Sequence, residues 1–483
     1  MPSNDPARPN ILFILADDHG AWALGSAGNP EVETPNLDRL SREGMRFENF
    51  FCASPVCSAA RASIMTGRIP SQHGIHDWLR GGNADVKPDY TLKGIEYLEG
   101  MRGYTDFLAE AGWNCGISGK WHMGHSRKPQ KGLQYWEVMG FGGCPYYGTE
   151  MIRDGEVYME DRYITDVITD HAVEYLEETK TRDEPFYLSV HHFAPHSPWD
   201  RQYHPSETWD RYQKDYALDS VPRVPLHPNQ IDSAPHPSTD QEHREILGGY
   251  YTAVTEMDRN IGRLLDWLDE NGLRENTLVI FTGDNGMNIG HHGVYGKGNG
   301  TFPMNMYDTS VKVPMIMSQP GTLAEDVVVS EMLSHYDVMP TLLDRFGLEN
   351  PEADSLPGAS FNAILDGQDF EEREPVVIFD EYGPVRMIRT KEWKYVHRYA
   401  YGPHELYNLA DDPGEERNLI DDEAHDPTRM ELKARLDEWF VRYVDPALDG
   451  VREPVTGKGQ VNLAGPAGKG EMAFVGDWRH VAR

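Results

Sequence analysis

Two short oxygen-rich pairs stand far apart in this chain, Asp17-Asp18 and Asp284-Asn285. They offer oxygen ligands only, a set that suits a hard divalent cation such as Ca²⁺ or Mg²⁺, whereas zinc favours His and Cys. Taken singly, an Asp after a strand is more often a turn residue or helix cap than a metal ligand. Two such pairs, each following a buried strand, favour the metal. A third feature is Cys57 with Arg61 four residues on, inside SPVCSAARASIMTG (54–67). On a helix starting near Cys57 the two side chains share a face. The helix N-terminus offers backbone N–H groups to an anion. An adjacent cation also activates a thiolate, so a plain cysteine nucleophile is one chemical reading. From spacing alone, a buried cysteine beside a surface arginine is the commoner arrangement.

Strands must deliver these residues. Asn10–Ala16 (NILFILA) is a short apolar run that reads as a buried parallel strand ending in Asp17-Asp18. Leu278–Phe281 is a second, ending in Thr282-Gly283-Asp284-Asn285, and Pro185–His192 (PFYLSVHH) is a third. Asn36–Glu43, Tyr104–Ala111 and Tyr163–Thr179 have helical patterning. The longest helix expected is Glu242–Glu270, where Ile246, Tyr250, Val254, Met257, Ile261, Leu265 and Leu268 recur at steps of three and four, with Gly272 as its stop. Alternating strands and helices predict an α/β fold, a mostly parallel central sheet sandwiched by helices, whose chemistry collects at the carboxyl ends of strands. From about Glu374 the pattern changes to short alternating runs (PVVIFDE, VRMIRT, WKYVHRY). The expected organisation is a catalytic domain over 1–373 and an α+β subdomain with a small antiparallel sheet over 374–483. The stretch Trp199–Ser238, rich in Pro, His and Asp, reads as a long surface excursion, and the Gly-rich tail after Gly450 as irregular.

Composition narrows the partners. With 39% hydrophobic and 11% aromatic residues the 483-residue chain is an ordinary globular protein. A net charge of −33 excludes nucleic acid and anionic membrane surfaces as natural partners. An anionic substrate then needs a locally positive pocket, which screening over about 8 Å permits. No apolar run approaches the roughly 20 residues of a membrane span. The start MPSNDPARPN carries no visible secretory signal, so a cytoplasmic location is the default expectation, periplasmic or secreted if a signal was removed. Four cysteines are too few for a disulfide scaffold, and Cys52, Cys115 and Cys144 read as buried small thiols.

Cys57-Ser58-Ala59-Ala60-Arg61 resembles the signature Cys-x-Pro-x-Arg or Cys-x-Ala-x-Arg of the sulfatase family, here with Ala59 where the commoner form has Pro. The resemblance runs through PNILFILADDHG (9–20), TPNLDRLSREGMRFENFF (34–51), SGKWHMG (118–124), FAPHSPW (193–199), TGDNG (282–286), GHHGVYGKG (290–298), VPMIM (313–317) and ELYNLADDPGEERNL (405–419). It implies an alkaline-phosphatase-like fold and a sulfuric ester hydrolase that resembles bacterial carbohydrate sulfatases. Cys57 would be oxidised to formylglycine by a maturation enzyme. The resemblance further implies that Asp17, Asp18, Asp284 and Asn285 bind Ca²⁺, or Mg²⁺, with oxidised Cys57 completing the site. Arg61 would steady the formylglycine hydrate, Lys120 and Lys297 would hold sulfate oxygens, and His122 would take a proton from the hydrate. His196, with Lys297, would serve the leaving oxygen. Charge neutralisation by a cation and two lysines fits the substrate, because the anionic oxygens of a sulfate ester repel nucleophiles.

Substrate residues are expected near the mouth: Trp78 and Arg80 beside His76 and Asp77, then Trp199 and Arg201 beside Tyr203 and His204, with His335 in SHYD a further pocket residue. Aromatic faces among charged hydrogen-bonders suit a sugar ring, and equally suit a loop packed down on the core. The expected substrate is a sulfated saccharide or other sulfated small molecule. A phosphonate or phosphate ester hydrolase of the same superfamily is the rival enzyme, and a non-catalytic anion- or sugar-binding relative the rival of another class.

Overall fold

The computed structural model describes residues 8–84, 94–221, 223–370 and 378–476. Its strands, in chain order, are β1 (Asn10–Ala16), β2 (Met45–Phe51), β3 (Asn114–Gly119), β4 (Tyr135–Met139), β5 (Thr149–Arg153) and β6 (Glu156–Glu160). There follow β7 (Phe186–His191), β8 (Thr277–Gly283), the short ladder β9 (Asn288–Ile289) and β10 (Tyr295–Gly296), β11 (Met315–Ser318) and β12 (Val327–Ser334). All but β9 and β10 join one ten-stranded sheet in the order β12-β2-β11-β8-β1-β7-β3-β4-β5-β6. β1 is parallel to both neighbours, with Ile14 opposite Val190 on one side and Phe281 on the other. β11 is antiparallel to β8 and to β2, so β2 regains the direction of β1. As a result β1, β2, β3, β7 and β8 all open their carboxyl ends on one edge, where an open α/β sheet places its crevice.

β1 is buried along its whole length. Ile11, Phe13 and Leu15 face one core, shared with Val56, Ala59 and Ala62, while Leu12, Ile14 and Ala16 face another, shared with Val167, Met257 and Ile261. That alternation is the two-residue period of a strand sandwiched on both faces. The long helix Asp240–Glu270 starts at Thr239, whose side chain accepts from Glu242 N in a capping box. Farther along, its Asp258 caps another helix, Pro35–Arg42, accepting from Leu37 N at 2.7 Å and Asn36 N at 3.1 Å.

The expected elements over 10–16, 36–43, 104–111, 163–179, 185–192, 242–270 and 278–281 are present with ends within two residues. Trp199–Ser238 needs correction. It contains the helix Ser206–Asp215, and its Trp199 and Tyr212 are buried in a cluster with Tyr250 and Tyr251. Thr208 and Tyr212, one helical turn apart, are its buried side chains, and polar neighbours hide that spacing in the sequence. The C-terminal strands β13 (Ile378–Glu381), β14 (Val385–Arg389), β15 (Trp393–Arg398) and β16 (Glu405–Asn408) form the expected antiparallel sheet, covered by Leu432, Leu436 and Phe440 of the helix Asp426–Tyr443. Pro375–Val377 of the expected first strand lie outside the described residues. Buried Lys394 ties this sheet to Asp308 and to Glu415 of the ELYNLADDPGEERNL run. Among the described residues the four cysteines are free, Cys144 only half-buried, and no helix is long and apolar enough to cross a membrane.

Replacing Asp258 with Ala strips the cap from Pro35–Arg42 and leaves buried donors unpaired, a loss of about 1–3 kcal/mol. Urea unfolding of Asp258→Ala should show a lower midpoint at unchanged slope.

Candidate functional site

Ala16 lies opposite Gly283 in the β1–β8 pairing, so the residues that follow each strand must meet. Asp18 N donates to Asp284 Oδ1 at 3.1 Å, and Asn285 Nδ2 donates to Asp18 Oδ1 at 2.8 Å. Asp17, Asp284 and Asn285 are fully buried and Asp18 nearly so. Asp18 takes the left-handed conformation (φ 62°), which Asp tolerates better than most residues.

Cations are threaded among these carboxylates. β3 ends at Gly119, and the next residue, Lys120, sends its amine to Asp17 Oδ2. Lys297, just after β10, sends its amine to Asp18 Oδ1. Arg61 is buried in the helix Cys57–Thr66, of which every residue is buried. Its Nε donates to Asp284 Oδ2 at 2.9 Å and its Nη1 to the Lys120 carbonyl at 2.8 Å. Thus Arg61 holds a carboxylate and the backbone at Lys120, while its Nη2 has no partner. Cys57 and Arg61 share a helix face, as their spacing predicts.

Cys57 opens that helix, and Val56 supplies no side-chain cap to its first turn. Cys57 Sγ lies 3.3 Å from His122 Nδ1. His122 Nε2 lies 3.0 Å from the Leu79 carbonyl, which only accepts, so Nε2 carries the hydrogen and Nδ1 is left as acceptor toward residue 57. Burial, then Lys120, hold His122 well below the ordinary histidine range, so the ring is neutral. Burial also pushes the Cys57 thiol up despite Lys120 and Lys297. The plain thiolate reading therefore lacks support here.

Burial and then Asp284 push Asp17 up to about 8, against the pull of Lys120. Burial opposes ionisation of Asp18 too, but Lys297 and His196 outweigh it and hold Asp18 below the carboxylate range. The same Asp18 keeps Lys297 charged against its own burial. At an effective dielectric of about 20, unit charges about 4 Å apart interact by about 4 kcal/mol, which is why unbalanced carboxylates here would not stay ionised. Asp17 Oδ1 and Asn285 Oδ1 are buried oxygens with no hydrogen-bond partner. Asp17, Asp18 and His196 each present a ligand atom, all within 4.8 Å of one another. Orphaned oxygens beside two more carboxylates are the donor set that a hard divalent cation takes. The residues fit such an ion.

Above this floor opens a cavity of about 400 Å³. Cys57, Asp18, His122, His196 and Lys297 line its base, with Trp78 and Arg80 among the other walls. His196 Nδ1 donates to the Ser197 carbonyl at 2.7 Å, and its Nε2 lies 3.6 Å from Asp18 Oδ2. Burial lowers His196 to about 4, against the pull of Asp18.

Three expected pocket residues lie elsewhere. Trp199 is core: its Nε1 donates to the Pro195 carbonyl at 2.8 Å and its ring meets Tyr250 edge-on. Arg201 is on the surface in a bidentate pair with Asp210 at 2.6 Å. His335 is buried behind β8, with Nε2 3.0 Å from the Gly283 carbonyl. Aromatic content alone did not separate Trp199, which packs inward, from Trp78, which lines the cavity. Sequence reasoning also missed Asp232–Ala234, Asn299 and Lys458 in the lining. The tripeptide Gly-Lys-Gly occurs at 296–298, 457–459 and 468–470, and Lys469 of the third copy is not in the lining, so it gave no selective signal for Lys458.

A mostly parallel sheet with an oxygen-ligand cradle at its carboxyl edge, a helix N-terminus beside it and a small antiparallel sheet behind in sequence is the alkaline-phosphatase-like fold. Within that fold the chain belongs to the sulfatase family: the family model described as Sulfatase matches residues 9–348, and one described as N-sulphoglucosamine sulphohydrolase, C-terminal, matches 290–441. It is a sulfuric ester hydrolase. An ulvan-active sulfatase of Formosa agariphila is 31% identical over 456 residues, covering 90% of this chain and 81% of that protein. Among solved structures, one in complex with its substrate D-glucosamine-2-N,6-O-disulfate superposes at TM-score 0.73 with 23% identity, covering 91% of this chain and 99% of that one. The phosphonate monoester hydrolase of Agrobacterium radiobacter superposes at TM-score 0.67 with 20% identity, covering 90% of this chain and 96% of that one. At those identities the two structures speak for the fold.

Trp199→Ala should cost about 3–5 kcal/mol of stability as a core truncation. Thermal unfolding, with KM measured on the folded fraction, checks this; a raised KM at unchanged stability would return Trp199 to the pocket.

Proposed function

We propose that the protein hydrolyses the sulfate ester of a sulfated saccharide, with residue 57 as formylglycine and a divalent cation on Asp17, Asp18, Asp284 and Asn285. The observation that carries the proposal is the meeting of Cys57, His122 and the oxygen cradle at the base of one cavity. Ca²⁺ is the preferred ion, with Mg²⁺ the alternative, because the donors are oxygens. When bound, the cation supplies positive charge that neutralises the ester's anionic oxygens and anchors the oxygen of residue 57. Formylglycine, made by a separate maturation enzyme, supplies a hydrate whose second hydroxyl lets sulfate be released where an ordinary Ser or Cys would be left esterified.

This chain's own residues do the rest. Lys120 and Lys297 bind sulfate oxygens in a water-poor site, where such contacts strengthen. His122, neutral and with Nδ1 free to accept, takes the proton of the residue-57 hydroxyl. Lys297, kept charged by Asp18, and His196 face the leaving oxygen; Lys297 steadies its developing charge, while His196, whose proton sits on Nδ1, offers the lone pair of Nε2. Arg61 orients Asp284 and the Lys120 backbone, and its unpartnered Nη2 steadies residue 57. Trp78 and Arg80 receive the saccharide, which is supported by their place in the wall of the cavity that opens over residue 57. We assign the catalytic domain to 1–373 and a supporting subdomain to 374–483.

Mass spectrometry of the Cys57 peptide from the native host should show formylglycine, and Cys57→Ala should lower kcat at least a thousandfold, on the order of losing a nucleophile. Chelation should abolish turnover, with Ca²⁺ or Mg²⁺ restoring it. Parallel assays on sulfate esters and phosphonate diesters decide the reaction: faster phosphonate cleavage would replace the proposal.

A further inference from the structure

Backbone bonds hold the start of the turn that carries Asp17 and Asp18. Asp284 N donates to the Ala16 carbonyl at 3.0 Å, and Asp17 N to the Ala194 carbonyl at 3.1 Å. Past Asp18 a side chain from another element takes over. The hydroxyl of Tyr250 donates to the Asp18 carbonyl at 2.9 Å and accepts from Gly20 N at 3.1 Å. It thereby bridges the turn in which Asp18 holds its left-handed conformation (φ 62°). Tyr250 is fully buried, near the middle of the helix Asp240–Glu270.

The surroundings of Tyr250 reach the rest of the site. Gly249, just ahead of it, lets the helix press against the loop that carries His196: an added Cβ there would lie 2.1 Å from the Trp199 carbonyl oxygen. Glycine is a poor mid-helix residue, and this close approach is the reason for it. The Trp199 ring meets Tyr250 edge-on with centres 5.8 Å apart, and Trp22 stacks on it at 5.4 Å. Trp22 Nε1 in turn donates at 2.8 Å to the carbonyl of Met287, two residues past Asn285. One aromatic group thus braces both turns of the oxygen cradle and the His196 loop. Its hydroxyl is the part that touches the backbone of Asp18 itself.

We infer that Tyr250 is a positioning residue for the divalent cation: its hydroxyl fixes the Asp18 turn, and so the direction in which Asp18 offers its carboxylate. This rests on the cation of the proposed function. Affinity for a hard cation depends on the rigidity of its oxygen ligands as well as on their charge, and groups that orient the ligands change it strongly.

The test is calorimetric titration of the mature, chelator-treated protein with Ca²⁺, repeated with Mg²⁺. Tyr250→Phe keeps the ring and removes the hydroxyl, and its Kd for the cation should rise about tenfold, or about 1.4 kcal/mol. Tyr251→Phe is the control. It removes a neighbouring buried hydroxyl that bonds Asn29 and Ser220 instead, so it should lower Tm and leave the cation Kd unchanged. An unchanged Kd in Tyr250→Phe, or an equal rise in both variants, overturns the role. Linkage supplies a second measurement on the unaltered protein: if the clamp favours the cation, the cation favours the clamp, and the Gly20 amide should exchange more slowly once Ca²⁺ is bound. Exchange at Gly20 that ignores the cation overturns the role even if Tyr250→Phe does not fold. Failure of the unaltered protein to bind either ion would overturn the cation of the proposed function and this role with it, whereas normal binding that Tyr250→Phe leaves intact overturns this role alone.

Discussion

Three carboxylates cannot sit buried within reach of one another unless positive charge is placed among them. Asp17, Asp18 and Asp284 are so placed, and Lys120, Lys297 and Arg61 each answer one of them. Every other feature of the site follows from that requirement. The cations come from the end of β3, from the turn after β10 and from a buried helix, so three separate elements must be held in fixed relation. Removing one partner of such a buried pair leaves an uncompensated charge, costlier than the pair itself is worth. The arrangement is therefore poor as a source of stability and good as a means of fixing geometry around residue 57.

The sheet makes the convergence inexpensive. Strand direction alone brings the ends of β1, β3, β7 and β8 to one edge, and the two antiparallel pairings of β11 bring β2, and with it the start of the Cys57–Thr66 helix, to the same edge. No long excursion is needed to collect the central groups. The outer walls are built differently. They come from Asp232–Ala234, the turn at Lys297 and the tail, segments with little regular structure, where chemistry can change without disturbing the sheet.

Much of the centre was legible in the sequence because it obeys strong local rules. NILFILA and LVIF read as buried strands, and acids just beyond such strands lie at the reactive edge of a parallel sheet. Cys57 and Arg61 share a helix face by spacing alone. The roles of Lys120, His122, His196 and Lys297 had no local signal and depended on the resemblance to a family; the structure brings all four to the cavity or its floor. Pocket-wall residues were the weak point. Trp78 and Trp199 look alike as letters, yet one donates its N–H to the tail and the other is sunk against Tyr250. Burial of a tryptophan depends on partners distant in sequence, which periodicity does not report. The tail was passed over for its glycines, although those glycines are what let it approach Arg80 and Asn299 so closely.

The pairing of Gln460 with Leu79 joins segments from opposite ends of the chain. During synthesis the ten-stranded sheet has all its strands well before Gln460 exists. A chain ending ahead of Thr456 would lack the tail's part of the cavity wall and also Ala464 and Phe474, which are buried in the same cluster as Val56 and Ala59 on either side of residue 57. Residues translated late thus contribute to the packing behind the reactive centre as well as to its rim.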